Sequence, residues 1–283
     1  MALTKGKKGY TIPMDLEALT IGQAQDIYKA LAEDEDYRQF LSGAEEEHWS
    51  HELLVYARKA TRIMAMLAGV DMSAVEFLRD DEVVNIAPQF EFGVLRPLYH
   101  FGVYQPKEFE KFEFEGVEYR MPLSINDGFG GVMPMAEVTA EEWAESNDLR
   151  IASSNPIEYA HLIVAILCRP EGEKYNERVA RERAEQFKQL PCSLAFDVFF
   201  LQVCSYEYYS RSYRATFAPP KSGGRGKGGE SSFGQWKQRL FFAASDSNGG
   251  VLPCELARVK QWSVGEFLEL LEYKLEEAEN RAK

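Results

Sequence analysis

The sequence predicts a mainly α protein: a multi-helix body with one small β-hairpin insertion, followed by a short C-terminal helical segment. Three observations predict it. A helix-start signature, Ser or Thr followed three residues later by Glu or Gln, recurs as Thr20–Gln23, Ser42–Glu45, Ser73–Glu76, Thr139–Glu142 and Ser263–Glu266, with Asn155-Pro156-Ile157-Glu158 a close relative. The cap hydroxyl accepts from the third helical N–H, and the Glu or Gln reaches back to the cap's own N–H. Behind most of these starts the apolar residues keep helical spacing. One stretch, residues 111–121, switches to a period of two.

Taken in order, residues 1–16 read as a basic flexible arm. The first helix starts at Thr20 and places Ile21, Ala24, Ile27, Tyr28 and Leu31 on one side. The acidic stretch Glu33 to Asp36 interrupts the pattern. A longer helix is expected from Ser42 to Leu67, stopped by Gly69. A short helix follows Ser73. Another covers Asp81 to Leu95 ahead of Pro97, with Pro88 starting, bending or breaking it. In the hairpin, Phe112 and Phe114 alternate with Glu113 and Glu115, Glu115-Gly116 makes the turn, and Val117, Tyr119 and Met121 alternate again. The run Asn126 to Gly131 reads as an irregular loop. A short helix at Thr139 contains Trp143. Asn155 as cap, Pro156 and Glu158 open an apolar helix that Arg169-Pro170-Glu171-Gly172 ends. Residues 174–189 form a charged helix. Pro191 opens the next, Leu194 to Tyr213, which is dense in aromatics.

Residues 219–232 have the composition of a Gly-rich linker. Beyond it, Phe233 to Ala244 is a short helix, a Ser/Asn/Gly loop follows, and the last helix starts at Ser263 with Val264, Phe267, Leu268, Leu271 and Leu275 as its stripe. The segment 233–283 is near the lower limit for an independent fold, so it is expected to dock on the body (17–218) or on a partner.

The 283 residues suit one large or two ordinary domains, and 18 Phe with 14 Tyr supply bulky core material. A net charge of -13 works against nucleic-acid wrapping and anionic lipid, and suits protein partners, basic ones included. No apolar run is long enough to span a bilayer. Cys168, Cys192, Cys204 and Cys254 show no CxxC spacing and read as reduced thiols in a cytosol. The basic N-terminus has no apolar stretch behind it and is not a secretory signal.

Two Glu-x-x-His steps, Glu45–His48 and Glu158–His161, are the one tempting catalytic pattern, because di-iron carboxylate bundles use two such steps with two further Glu residues. Capping explains both glutamates more simply. His48 and His51 with Glu47 or Glu52 make at most a surface patch, and His100 offers no constellation. Gly226-Lys227 fails as a phosphate loop, since Gly228 stands where Ser or Thr is needed. No metal or cofactor is expected. The aromatic belt from Phe196 to Tyr213 reads either as core packing or as a sticky groove for an apolar helix. Tyr206, Tyr208 and Tyr209 cannot all face one way, and exposed Tyr favours an interface. The candidate partner-binding residues are Phe199, Tyr206, Tyr208, Tyr209, Tyr213, Phe267 and Leu271.

The order of pieces resembles the tail-assembly chaperone-like proteins of phages. The residues that carry the resemblance are Leu19-Thr20-Ile21-Gly22-Gln23, Phe112-x-Phe114-x-Gly116-x-x-Tyr119, Val138-Thr139 to Trp143, and Arg169-Pro170 with Tyr175 and Phe187. Phe233-Gly234-x-Trp236 and Val264-Gly265-Glu266-Phe267-Leu268 complete the set. Each motif is short, and the Gly-rich linker and basic arm depart from the plan. The resemblance implies a non-enzymatic assembly chaperone in the host cytoplasm that binds a tape-measure helix or tail-tube subunit. Some proteins of this look remain in the virion as tail or neck components, where a homo-oligomer is expected. A di-metal carboxylate enzyme using Glu45, His48, Glu158 and His161 is the alternative from another class.

Overall fold

A computed structural model describes residues 2–5, 8–42, 53–70, 80–100, 105–107, 110–122, 124–126, 132–152, 157–218, 235–246 and 249–281. The protein is mainly α, and it divides into two compact units: residues 1–107 with 188–196, and residues 108–187 with 197–283. Among the described residues no helix is long and apolar enough to cross a membrane. The Gly-rich stretch 219–232 lies outside the described residues.

The first unit opens with an antiparallel hairpin of β1 (Ala2–Lys5) and β2 (Lys8–Thr11), where a loose arm was expected. Ile12, Leu16 and Leu19 after it are buried. Helix α1 (Ile21–Ala30) starts on the expected capping box. Gln23 N–H donates to Thr20 Oγ1 at 3.2 Å, and Thr20 N–H to Gln23 Oε1 at 3.0 Å. The acidic stretch is itself a helix start: Asp34 accepts the Tyr37 N–H and opens α2 (Glu35–Ser42). Ser42 therefore ends a helix instead of beginning one, its hydroxyl donating to the Gln39 carbonyl. Helix α3 (Leu53–Leu67) is stopped at Gly69, whose φ of +63° lets the Val70 N–H reach back to the Ala65 carbonyl. Glu45, Ser73 and Glu76 lie outside the described residues.

Pro88 sits inside α4 (Asp80–Phe90) and does not end it. A π turn, Glu91–Leu95, follows, and α5 (Arg96–Tyr99) begins with Pro97 in its first turn, so Pro97 opens a helix instead of closing one. Gly93 in the π turn is required by a close approach. A Cβ there would lie 2.0 Å from the Met14 carbonyl oxygen.

In the second unit β3 (Lys111–Phe114) and β4 (Val117–Arg120) form the expected hairpin. Glu115 and Gly116 both have positive φ, as a two-residue primed turn requires. Phe112, Phe114 and Tyr119 meet the buried Phe187 ring edge to face. The expected irregular loop is framed by a second small hairpin, β5 (Ile125–Asn126) with β6 (Val132–Met133).

Helix α6 (Ala140–Ala152) keeps the Thr139–Glu142 capping box. Helix α7 (Ala160–Leu167) begins later than the Asn155 signature implied; residues 157–159 form a turn, and Asn155-Pro156 lies outside the described residues. Helix α8 (Glu177–Phe187) is capped by Asn176, and α9 (Cys192–Ser212) starts in the first unit and continues in the second. Then come α10 (Arg214–Phe217), α11 (Gln235–Ala243), α12 (Pro253–Lys260) and α13 (Val264–Arg281). Helix α12 was not anticipated, although Pro253 at its first position marks the start.

Each unit joins two helix starts back to back. Thr20 bridges Pro191, with the Ile21 N–H on the Leu190 carbonyl and the Cys192 N–H on Leu19. Thr139 bridges Ser263, with the Ala140 N–H on Trp262 and the Val264 N–H on Val138. A cap residue is extended, so two caps pair as a minimal antiparallel ladder while their helices diverge.

Candidate protein-docking face of the C-terminal helices

Helix α6 packs on α7 and α11, and α11 packs on α12 and α13. The start of α11 is held from far along the chain. The Asp148 carboxylate accepts the Trp236 N–H at 2.9 Å and the Lys237 N–H at 3.0 Å. Trp236, Leu240 and Ala243 face inward, with Trp236 against Trp143 at 4.4 Å between ring centroids. At its other end, Lys274 of α13 donates to the carbonyls of Phe242, Ala243 and Ser245. A cation on the last carbonyls is the favourable arrangement for a helix C-terminus.

With both ends fixed, Phe241 and Phe242 are left pointing outward, at 49% and 39% exposure. They line a groove of about 590 Å³ together with Val251, Ala278, Lys274 and Arg281. Asp246 and Gly249 also line it, the Gly250 N–H donating to Asp246 Oδ1 and Gly249 having a φ of +80°. Leu252 on α12 and Tyr273 on α13 are also strongly exposed. Helix α13 carries six Glu against Lys274 and Arg281. Lys274 is committed to carbonyls, and Arg281 is ion-paired with Glu277.

The expected partner-binding residues are placed differently. Phe199, Tyr209, Phe267 and Leu271, named as candidate partner-binding residues, are buried core side chains. Tyr209 donates to the Pro134 carbonyl and stacks edge-on with Trp143, which explains its inward turn. Tyr206, Tyr208 and Tyr213 are half-buried, and no groove among those described is lined by them. The sequence did hold a signal for the observed face. Adjacent residues on a helix are about 100° apart, so Phe241 and Phe242 in a short helix cannot both lie in one core.

A second feature is the buried polar run of α6. Glu142, Glu145, Ser146, Asn147 and Asp148 are all buried. Glu142 lies 2.8 Å from Arg169, and burial still pushes its carboxyl above the usual range. Glu145 takes a hydrogen bond from Tyr175 and ion pairs with Arg181 and Lys237. Burial likewise raises Asp148, against the two N–H groups it accepts. A small cleft of about 140 Å³ beside Arg120, Met121 and Arg169 is spanned by the Arg120–Glu171 ion pair.

His161 is buried with Nε2 3.9 Å from Glu185, Glu158 sits in the turn ahead of α7, and Glu45 and His48 lie outside the described residues. Among the described residues no group of three or more His, Cys, Asp or Glu could hold a metal ion. All four cysteines are free; burial raises the Cys168 and Cys192 thiols, and Cys254 is exposed.

Comparison with known proteins finds no family model that matches the chain, no curated protein similar to it and no solved structure that matches it.

Proposed function

We propose that this protein is a non-enzymatic assembly factor that holds a basic amphipathic helix of a partner protein in the groove formed by α11 and α13. The observation that carries the reading is the outward pair Phe241 and Phe242 lining that groove on a segment whose longest helix is strongly acidic. An apolar floor on a segment carrying the acidic helix α13 complements an amphipathic helix with a basic edge, the floor giving affinity and the net negative charge of α13 steering the encounter. The sequence resemblance supplies the partner class: a phage tail protein such as the tape measure or a tube subunit, bound in the host cytoplasm before assembly.

The test is co-purification from the native expression setting, with partners identified by mass spectrometry. A near-stoichiometric helical tail protein is expected with the wild type and is lost with Phe241→Asp combined with Phe242→Asp. An unchanged yield of that partner with the double variant removes the groove from the reading. A wild-type protein that forms a closed oligomer and carries no partner removes the chaperone role.

A further inference from the structure

Two of the arginines withdrawn from solvent in the second unit face a carboxylate: half-buried Arg169 faces Glu142, and buried Arg183 faces Glu173. Arg150 and Arg239 are half-buried as well and have no carboxylate within 4.0 Å among the described residues. Arg150 donates from Nε and Nη2 to the neutral Asn147 Oδ1, both at 3.3 Å, and its guanidinium lies 5.0 Å from the Tyr206 ring centre. Arg239 donates from Nη1 to the Thr216 carbonyl and lies 4.3 Å over the Trp236 ring. The rings that carry the two cations are neighbours: Tyr206 to Phe217 is 4.9 Å, Phe217 to Trp236 is 5.3 Å, and Tyr206 to Trp236 is 6.4 Å. The acid that reaches Arg239 is Asp148, and its two oxygens are taken by the Trp236 and Lys237 N–H groups.

We propose that Arg150 and Arg239, set on the Tyr206–Phe217–Trp236 platform, form an oxyanion site that takes inorganic phosphate or a small phosphate monoester. Two cations with no ion-paired carboxylate among the described residues, withdrawn partly from water, are costly, and one anion shared between them removes the cost for both. Each guanidinium presents five N–H donors in a rigid fork, and most remain unused here. That fork matches the oxygens of a phosphoryl group. Burial lowers the pKa of both arginines, the direction expected of cations short of a counter-charge. The net charge of -13 repels anions at long range, so occupancy depends on these local donors and weakens with salt. The site is separate from the groove residues Phe241 and Phe242 and stands independently of the proposed function.

The experiment titrates the full chain with inorganic phosphate and, separately, with phenyl phosphate, against chloride at matched ionic strength. Tryptophan fluorescence is the readout, because Trp236 is part of the platform. A saturable change with phosphate and none with chloride is expected. Arg150→Gln and Arg239→Gln should each weaken binding about tenfold or more. Arg150→Lys keeps the charge but not the fork and should weaken it several-fold; it also guards against variants that fail to fold. Tighter binding of phenyl phosphate assigns the site to monoesters, and equal binding assigns it to free phosphate. No saturable signal up to roughly 10 mM, or undiminished binding in folded Arg150→Lys and Arg239→Gln, overturns the proposal.

Discussion

Beyond the back-to-back backbone joint that each unit makes between two helix starts, the two units cap their helices with side chains in different ways. In the first, Thr20 and Gln23 satisfy each other three residues apart, and Asp34 accepts from Tyr37 three residues on. In the second, the local boxes at Thr139 and Ser263 are joined by caps that come from far away. Asp148 holds α11 across 88 residues, and Glu272 accepts the Ala215 and Thr216 N–H groups of α10 across 57 and 56. A distant cap forms only when both elements are already in place, so in the second unit end-capping and packing are one event. The cores differ in the same sense. Tyr37, Phe40 and Tyr56 stack in the first unit, with the Tyr37 hydroxyl donating to the buried Glu91. The second buries a run of polar side chains along α6.

The strongest way to break the contrast is Trp143→Ala. The ring is fully buried and meets Trp236, Tyr209 and Phe217, so its loss should cost about 3–5 kcal/mol in urea unfolding. In the first unit the matching test is Gly93→Ala. A methyl group 2.0 Å from a backbone carbonyl cannot be relieved by a rotamer, and a loss of about 2 kcal/mol or more is expected. Asp148→Ala leaves the buried Trp236 and Lys237 N–H groups without an acceptor and should cost about 2 kcal/mol. Asp148→Asn, which keeps one acceptor oxygen, should fall between it and the wild type. If Asp148→Ala changes the urea midpoint no more than a surface substitution does, the distant cap is not what holds α11.

Glu142 gives a pH test with a definite sign. Its folded pKa lies above the unfolded value, because burial outweighs Arg169. As pH rises from the ordinary carboxylate range toward that raised value, the unfolded chain gives up its proton first. Stability contributed through Glu142 therefore falls as pH rises. Unfolding midpoints taken between about pH 4 and 7 should decline less steeply in Glu142→Gln than in the wild type. The smallest effect is at the local box of α13. Ser263→Ala should cost about 1 kcal/mol. Glu266 behaves oppositely to Glu142: the Ser263 N–H it accepts lowers its pKa, so its contribution is present at neutral pH and is lost on acidification.

These differences track what could be read in the chain. Thr20–Gln23, Thr139–Glu142 and Ser263–Glu266 were legible because every atom of the motif lies within four residues. The hairpin at Glu115-Gly116 was legible for the same reason, since the turn needs two residues of positive φ in sequence. Ser42 misled because its capping pattern competes with a helix already begun at Asp34. The belt residues Phe199 and Tyr209 were ambiguous because α9 carries aromatics on every side, and only the packed partners choose which are covered.

The sequence by itself determined the mainly α class, the starts of α1, α6 and α13 and the hairpin at 111–121, all set by interactions a few residues in reach. Tertiary structure alone decided which carboxylates of α6 are buried, which helix each distant acid caps and that the adjacent Phe241 and Phe242 both face outward. Periodicity fixes a residue's direction on its own helix, whereas burial depends on what another part of the chain brings against that face.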